Sequence, residues 1–565
     1  MKDRVSLTDF LMYHKETHPI SFHMPGHKGR STLYGIYGFG DFVKNVIGND
    51  ITEIPGADAL QQPRERIKDM MDSYASLYGA RHTELLVNGS SAGLMAAILG
   101  TVSRGDKLLM GRNSHRSVYG ALRLGGINPA YIMPEIDAET GLQLGLDPDK
   151  IEEALIEDPD IKAVLVTSPN YYGVLSDIER IANIVHLHGR TLIVDQAHGA
   201  HLKFFDYLRS EDGLPYRAAE NCGADIVVDS THKTLLSFTG SAILNICTER
   251  PDVPRISELL RMLQTTSPSY LLMGSLDINQ QILRMDGYNL IKNWDADIKY
   301  FYKEAAQIDG LGLINRIDLD ETKVSLTMSA LGLGGSELAA ELEKRNIWVE
   351  LTHGDYVMLM TGIGNERGDY EDILTALRDL SAQYRGRITA AEKAAREERS
   401  QNLESATELK PSTSSPENGS NRMETAQSES VSDSNRTETA QGELNEGSNR
   451  TETVADITDS AHEAAAHVTP ASNSTLIERL EQRRIPDTYE EVPLYSAEGR
   501  VLYESIIPYP PGSPIACPGE VLSKSVILYI RDQLVAQHVV LGVDEEGRVK
   551  VEPDCVLFKE VSGDL

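Results

Sequence analysis

The chain has 565 residues, too many for one ordinary domain, and its length predicts two to four domains. Its 54 Lys and Arg stand against 85 Asp and Glu, so the net charge of −31 provides no basic field for binding a nucleic acid. No apolar run reaches the roughly 20 residues of a membrane-spanning helix, and the first residues lack the apolar core of a signal peptide, so we predict a soluble, cytoplasmic protein.

Seven short apolar runs in the first half of the chain predict β-strands. They end in polar or glycine-rich turns, and helical patterns lie between most of them, for instance over 92–99 and 177–188. Strands that alternate with helices are typical of a doubly wound, mostly parallel sheet, which binds its ligand at the carboxyl ends of the strands. The predicted strands cover residues 83–87, 107–110, 130–133, 163–167, 191–195, 225–229 and 241–247.

A turn of small residues, 88–93 (NGSSAG), follows the first predicted strand and opens a helix. Small residues let the backbone close around an anion, and the start of a helix offers free N–H groups and the positive end of its dipole. The turn therefore suits a phosphate. Ordinary helix capping would produce the same pattern, so the turn alone does not establish a site.

Two other strand ends carry reactive side chains. The fifth strand ends in Asp195, with His198 three residues later, and the sixth is followed by residues 230–233 (STHK). Lys233 alone is most simply a solvated loop lysine. Together with an acid and a phosphate turn, it matches what pyridoxal phosphate requires: an acid for the pyridine nitrogen, an amine for the aldehyde, and hydroxyl and N–H groups for the phosphate.

The composition changes near residue 397. From about 400 to 474 the chain is rich in Ser, Glu, Thr, Asn and Gln, and it cannot bury enough apolar surface to order itself, so we predict a disordered linker. A SNR-x-ET motif recurs at 420, 434 and 448 without an apolar seam, which argues against a coiled coil. A flexible tether is the favoured interpretation, and a docking tail for a partner is the alternative.

These features, in their order and spacing, resemble the Orn/Lys/Arg decarboxylase family of pyridoxal-phosphate enzymes. The chain is similar in particular to the short bacterial form that lacks an N-terminal receiver-like wing domain. The resemblance covers nearly the whole chain except the linker. Its motifs lie at 23–29 (HMPGHKG), 50–56 (DITEIPG), 88–93, 113–117 (NSHRS), 170–173 (NYYG), 195–199 (DQAHG), 230–233, 266–270 (TSPSY), 508–512 (PYPPG) and 518–520 (PGE).

The resemblance implies an α/β fold of the pyridoxal-phosphate transferase type (fold type I). It has a seven-stranded, mostly parallel sheet, a small α+β domain and a C-terminal α+β domain beyond the disordered linker. Gln196 stands where the family usually has Glu, and we expect its side chain to point away from the site. The implied divisions are an N-terminal arm (1–60), a large cofactor-binding domain (61–290), a small domain (291–395), the linker (396–474) and a C-terminal decarboxylase domain (475–565).

The resemblance also implies roles for the matched residues. Lys233 would hold the cofactor aldehyde, Asp195 would pair with the pyridine nitrogen, and His115 would stack on the ring. His198 would lie beside the Schiff base and the substrate carboxylate, and it would share catalysis with Lys233 and His115. The implied phosphate residues are Ser90, Ser91, Ala92, Ser230 and His232, and the implied residues at the entrance, near a dimer interface, are His23, His27 and Glu520.

The implied reaction is decarboxylation of arginine, lysine or ornithine to agmatine, cadaverine or putrescine, with arginine ranked slightly ahead of lysine by family analogy. A homodimer or larger homo-oligomer is expected, without a metal, because the four cysteines lack the spacing of zinc ligands. One alternative is an aminotransferase or β-eliminating lyase, with Arg367 or Arg378 as the carboxylate partner. Another is a non-catalytic, regulatory relative.

Overall fold

The computed structural model describes most of the chain on both sides of the repeat segment. The predicted disordered linker lies outside the described residues, and its disorder stays a prediction. Met1–Arg385 and Pro470–Leu565 group into one unit, which contains all the elements below. The described residues are 6–386, 480–481, 483, 485–486, 488–509, 513–535 and 539–553.

The N-terminal segment consists of short elements that lie on the rest of the molecule. No residue of its first helix is buried, whereas its strand pairs in parallel with residues 347–349. The elements are α1 (Leu7–Glu16), β1 (Ile20–Phe22), α2 (Ser31–Ile36), α3 (Gly40–Lys44) and α4 (Val46–Asn49).

A seven-stranded sheet follows, and each predicted strand is present. Its strands are β2 (His82–Leu86), β3 (Lys107–Gly111), β4 (Asn128–Ile132), β5 (Ile161–Thr167), β6 (Thr191–Asp195), β7 (Ile226–Asp229) and β8 (Ala242–Ile246). The order across the sheet is β2-β8-β7-β6-β5-β3-β4, and β8 runs in the direction opposite to the other six strands. The predicted mostly parallel sheet is confirmed, and β5, β6 and β7 lie side by side at its centre.

Helices cover both faces of this sheet. Successive residues of a strand point to opposite faces, so Leu108 packs in one hydrophobic core and Leu109 in the other. Burial on both faces explains why the strands are almost uniformly apolar. The helices are α5 (Arg66–Tyr78), α6 (Gly89–Thr101), α7 (Arg116–Gly125), α8 (Pro148–Glu157), α9 (Ile178–Leu187), α10 (Leu202–Glu211), α11 (Thr231–Thr234) and α12 (Val253–Leu263).

A 36-residue helix, α13 (Tyr270–Ala305), leads from the sheet to the small domain and is broken by non-helical backbone at Asp286. It runs through the predicted boundary at residue 290, and the domain boundaries stay predictions. The elements of the small domain are β9 (Gly312–Leu313), β10 (Lys323–Thr327), α14 (Gly335–Glu343), β11 (Ile347–Val349), β12 (Leu351–His353), β13 (Tyr356–Met360) and α15, helical over 367–386. Four of its strands form an antiparallel sheet of order β12-β13-β10-β9.

The C-terminal domain has a small core of its own, which includes Leu502, Ile506, Val526 and Ile530. The elements of the domain are β14 (Glu490–Pro493), β15 (Ile507–Tyr509), α16 (Lys524–Val535), β16 (Val539–Leu541) and β17 (Arg548–Val551). The strands form two antiparallel pairs, β14 with β17 and β15 with β16, which enclose the core together with the helix. The predicted C-terminal α+β domain is confirmed.

Candidate active site

The predicted lysine and histidine meet at the carboxyl edge of the central sheet. Lys233 lies on α11, one turn beyond β7, and His198 follows β6. Because these neighbouring strands are parallel, their ends bring the two side chains together, and Lys233 Nζ stands 2.9 Å from His198 Nε2. The pair lies where a doubly wound sheet binds its ligand.

The environment of Lys233 favours a neutral amine. Burial, which disfavours its charged form, lowers the pKa of Lys233 to about 8, although the Asp195 carboxylate opposes the shift. Burial also raises the pKa of Asp195, against the effect of the Lys233 charge. The Asp195 carboxylate accepts a hydrogen bond from the Ala197 N–H at 3.2 Å, and only 3% of the residue is exposed. The neutral, nucleophilic form of Lys233 is therefore far more accessible near neutral pH than that of an exposed lysine, and it lies close to a sheltered acid.

The lowered pKa of Lys233 predicts how the apoprotein reacts with aldehydes. Above its pKa an amine is a neutral nucleophile, so reductive labelling of Lys233 by pyridoxal phosphate should rise with a midpoint near pH 8. An ordinary lysine titrates at about 10.4. Peptide mapping of the labelled site across pH 6 to 11 measures the midpoint. A midpoint above pH 10 would show that the folded site does not shift this pKa.

The three histidines around Lys233 are neutral at neutral pH, chiefly because they are buried. Burial lowers the pKa of His115 to about 3 and that of His232 to about 4, and it holds the pKa of His198 well below its usual range. His115 immediately precedes α7, and its Nδ1 accepts the Ser117 N–H at 3.3 Å. His232 Nδ1 donates to the Ser241 carbonyl oxygen at 2.7 Å. Neutral rings suit stacking and hydrogen bonding better than charge pairing.

The predicted phosphate turn opens α6 beside the lysine loop. Gly89 adopts a positive φ of 69°, and its N–H donates to the carbonyl oxygen of Gly240 at 2.8 Å. The first N–H groups of a helix have no partner within it, so those of Ser90, Ser91 and Ala92 can bind an anion. The Ala92 side chain is buried, and this residue offers only its backbone.

Several buried polar atoms at this edge lack any hydrogen-bond partner among the described residues. They are Thr167 Oγ1 at the end of β5, His198 Nδ1 after β6 and Ser230 Oγ after β7. Buried polar atoms are nearly always paired, so three orphans at three adjacent strand ends mark the place of a polar ligand. Together with the amine, the acid and the helix start, they fit pyridoxal phosphate.

The N-terminal segment lies directly on the lysine-bearing helix. Gly26 packs so closely that a Cβ there would stand 2.3 Å from the Thr234 carbonyl carbon, and its N–H donates to the His232 carbonyl oxygen at 2.8 Å. The ring of His27 lies edge-on to Phe238 at 6.1 Å, and burial lowers the pKa of His27 to about 4. The segment thus reaches the site, while the predicted entrance role of His27 stays a prediction.

Two other predicted entrance residues contact different parts of the chain. His23 Nδ1 donates to the carbonyl oxygen of Met24, and burial lowers the pKa of His23. Glu520 is buried in the single chain, with only 2% of the residue exposed. Its carboxylate pairs with Arg112 at 2.8 Å and accepts the Cys517 N–H at 2.8 Å. Glu520 is thus a buried ion-pair partner, and its place near an entrance at a dimer interface stays a prediction.

Three residues to which no sequence motif assigned a role support His198: Tyr171, Glu350 and Lys323. The ring of Tyr171 lies edge-on to His198 at 4.9 Å, and its hydroxyl donates to Glu350 Oε1 at 3.1 Å. Glu350 Oε2 accepts the Met24 N–H at 2.9 Å, and Lys323 Nζ donates to the His198 carbonyl oxygen at 3.3 Å. The NYYG motif contains Tyr171 but assigns it no role, and no motif marks Glu350 or Lys323.

Tyr171→Phe is expected to lower kcat by about ten-fold, because a hydrogen bond to a charged group contributes ~1.5–3 kcal/mol and its loss frees the ring that orients His198. Glu350→Gln should have a similar but smaller effect, since the amide still accepts the hydrogen bond. Steady-state kinetics measure both. Tyr172→Phe is the matched control, because the Tyr172 ring lies against His353 at 4.8 Å. Equal losses in Tyr171→Phe and Tyr172→Phe would rule out a specific role for Tyr171.

The remaining sequence expectations concern residues and features outside this cluster. Gln196 points away from Asp195, as expected, and its Nε2 donates to Glu220 and Asp229 at 3.0 Å each. Arg367 pairs with an aspartate at 2.6 Å and Arg378 with a glutamate at 2.8 Å, both at the surface. Within the described ranges, no His, Cys, Asp and Glu side chains cluster to hold a metal ion, and no helix is long and apolar enough to cross a membrane.

Family models and curated relatives both point to amino-acid decarboxylases. Residues 5–321 match the model of the Orn/Lys/Arg decarboxylase major domain, and residues 462–544 match that of the Orn/Lys/Arg decarboxylase C-terminal domain. An arginine decarboxylase of Bacillus anthracis is 33% identical over 367 residues, which are 63% of this chain and 72% of that one. An arginine decarboxylase of Bacillus subtilis strain 168 is 35% identical over 352 residues, which are 60% and 70% of the two chains.

Among solved structures, the constitutive lysine decarboxylase of E. coli is similar, with a TM-score of 0.64 and 19% identity. The similarity covers 97% of this chain and 81% of that one. At this identity the comparison shows a common fold.

Proposed function

Because the chain belongs to the Orn/Lys/Arg decarboxylase family, we propose that it decarboxylates L-arginine to agmatine with pyridoxal phosphate as cofactor. Decarboxylation of a basic L-amino acid follows from the family. The observation that supports the proposal most directly is the Lys233–His198 pair at 2.9 Å, beside the buried Asp195. The names of the Bacillus relatives favour arginine over lysine and ornithine.

The residues at the strand ends divide the binding of the cofactor among them. Asp195 would hold a proton on the pyridine nitrogen, and His115 would stack on the ring. The start of α6, with the hydroxyls of Ser90 and Ser91, and the orphan hydroxyl of Ser230 would bind the phosphate. Pyridoxal phosphate supplies an electron-accepting ring that stabilises the charge left on the substrate Cα when CO2 departs.

Lys233 and His198 would together control proton transfer in the reaction. With a pKa of about 8, Lys233 Nζ can be a neutral nucleophile at one stage and a proton carrier at another. His198 Nε2 exchanges a hydrogen bond with Lys233 Nζ, while its buried Nδ1 is left for the substrate carboxylate. The protonated Lys233 amine can return a proton to Cα while the neutral His198 ring holds it by a hydrogen bond, and one proton is consumed per turnover. His198 is only 7% exposed, and its burial limits the access of water to that step.

Transamination is the weaker candidate for this site. An aminotransferase of this fold usually holds the substrate carboxylate with an arginine, and Arg367 and Arg378 are engaged in surface ion pairs instead. A decarboxylase gains from the opposite arrangement, because a carboxylate without a strong cationic partner leaves more readily as CO2. The surface position of both arginines therefore favours decarboxylation.

We also propose a homodimer or larger homo-oligomer. The first helix exposes Leu7, Phe10, Leu11 and Tyr13, with 50–73% of each residue accessible in the single chain. A row of exposed apolar side chains is typical of an interface with another protein surface. A second copy of the chain would bury this helix.

Amine and CO2 release from the purified, cofactor-loaded protein tests the proposed function. L-Arginine, L-lysine and L-ornithine are supplied separately from mildly acidic to neutral pH. Agmatine formed at least ~10-fold faster than the other amines would support arginine, since pockets built with polar partners can discriminate strongly between substrates. Faster release of cadaverine or putrescine would replace the substrate. No CO2 from any of the three, with the cofactor still bound, would overturn decarboxylation.

A further inference from the structure

Residues 513–520 of the C-terminal domain contact the turn that carries His115. We term this segment the brace. Arg112, three residues before His115, forms an ion pair with Glu520, with Nη2 and Oε2 2.8 Å apart. The two side chains are only 5% and 3% exposed. The same Oε2 accepts the Cys517 N–H at 2.8 Å, so the carboxylate is held on both sides.

Hydrogen bonds to backbone carbonyl oxygens add to the contact between the brace and this turn. Arg112 Nη1 donates to the carbonyl oxygen of Pro514 at 2.8 Å, and the Ser513 hydroxyl donates to the carbonyl oxygen of Asn113 at 3.0 Å. Cys517 packs into the hydrophobic core on one face of the large sheet. The brace therefore ties the C-terminal domain to the loop between β3 and α7 by charge, hydrogen bonds and apolar packing.

Arg112 also connects the backbone that precedes His115 to the helix that follows it. The hydroxyl of Tyr119, on the first turn of α7, donates to the Arg112 carbonyl oxygen at 2.6 Å and accepts from Arg112 Nη1 at 3.0 Å. The guanidinium lies 5.6 Å from the ring centroids of both Tyr119 and Tyr131. Any displacement of Arg112 would be passed to the backbone before His115 and to the helix after it.

We propose that Arg112 and Glu520 are positioning residues through which the C-terminal domain holds His115 against the cofactor. The inference rests on the proposed function in one respect, the contact of His115 with pyridoxal phosphate. Removal of one member of a buried ion pair leaves an uncompensated charge, which must seek water and disturb its surroundings. Replacement of both members by apolar residues removes that penalty. The pair should therefore behave as a unit.

The experiment compares Arg112→Met, Glu520→Met and the double variant, each in the full chain. Each single variant should weaken the binding of pyridoxal phosphate by about 10- to 100-fold, as a small displacement of a contacting group does. The double variant should recover most of that loss. Hydrogen exchange of residues 112–119, measured on the apoprotein, should be faster in the single variants. With saturating cofactor, KM for the amino acid should stay unchanged.

Ile530→Ala is the matched control, because Ile530 lies on α16, is fully buried in the core of the C-terminal domain and is outside the brace. It should lower the melting temperature without altering cofactor affinity or exchange at 112–119. If the single variants, like the control, lose thermal stability and keep their cofactor affinity, the ion pair has only a structural role and the proposal fails. If Glu520→Met raises KM for the amino acid while cofactor affinity is unchanged, Glu520 contacts substrate and the proposal also fails.

Conservative variants keep the test decisive if the methionine variants do not fold. Arg112→Lys retains the charge, but a single ammonium cannot reproduce the bonds that the two guanidinium nitrogens make to Pro514 and Glu520. Glu520→Gln retains the shape and loses the charge. Each variant should weaken cofactor binding by about 3- to 10-fold. Unchanged affinity in both would overturn the proposal. If the unmodified protein binds no pyridoxal phosphate, the proposed function fails. The exchange rates of residues 112–119 then still decide whether the brace holds the turn.

Discussion

Lys233→Ala is expected to abolish decarboxylation, with a loss in kcat of at least ~10⁴-fold, because the reaction loses both its nucleophile and a proton carrier. The buried amine has a pKa of about 8 and stands 2.9 Å from His198 Nε2. Borohydride reduction of the unmodified, cofactor-loaded protein should fix the cofactor to the peptide that contains Lys233. In the variant, that peptide should carry no cofactor, as mass spectrometry would show.

Lys203→Ala provides the control for a lysine of comparable burial. Lys203 lies on α10, and its Nζ donates to Asn221, away from the site. This variant should lose roughly 1 kcal/mol of stability and keep its turnover per folded molecule. Full activity in Lys233→Ala would remove Lys233 from the mechanism. Covalent cofactor on Lys323 instead, whose Nζ donates to the His198 carbonyl oxygen, would move the attachment point to a neighbouring lysine.

Asp195→Asn should lower kcat by about 10²- to 10³-fold, because the amide cannot keep the pyridine nitrogen protonated. The same change should not destabilise the apoprotein. Burial raises the pKa of Asp195, so its charged form is disfavoured in the fold, and a neutral amide of the same shape removes that cost. Kinetics and thermal unfolding of the apoprotein measure the two effects. The visible absorbance of the bound cofactor should also change.

Asp206→Asn should give the opposite pattern. Asp206 lies on α10, is 1% exposed, and accepts the N–H groups of Arg217 and Ala218 at 2.9 and 3.0 Å. Burial raises the pKa of Asp206 as it does that of Asp195, but the Asp206 carboxylate also accepts from the Asn221 amide at 2.7 Å, whereas the Asp195 carboxylate accepts one N–H. Weakening these three hydrogen bonds should cost about 1–3 kcal/mol of stability with little effect on kcat. Parallel behaviour of the two variants would show that Asp195 is a structural acid. Restoration of activity by Asp195→Glu would support the charge requirement.

The carboxyl edge of the sheet was predictable because its information is local. Each apolar run of four to seven residues marks a strand, and a parallel sheet places the ends of its strands along one edge. Asp195 and Lys233 could be assigned to a common edge on this basis. The same reasoning could not predict that burial, rather than a charged neighbour, is the main cause of their shifted pKa values.

The supporting contacts were not predictable, because they join residues that are remote in the chain. Tyr171 meets Glu350 across 179 positions, and Arg112 meets Glu520 across 408. Glu520 illustrates the difficulty. Its PGE motif is local and recognisable, yet the partner of its carboxylate depends on how the C-terminal domain packs against β3. From the motif alone, an exposed loop acid and a buried ion-pair partner look alike.

The sequence by itself thus determined the strand order along the chain, the family, and the chemistry at three strand ends, because strand periodicity and short motifs are encoded within a few residues. Only the tertiary structure decided which side chains hold that chemistry in place. A charged or aromatic residue gains its role from desolvation and from partners brought to it by packing. Those partners came from the N-terminal segment, the small domain and the C-terminal domain, each separate in sequence from the sheet they support.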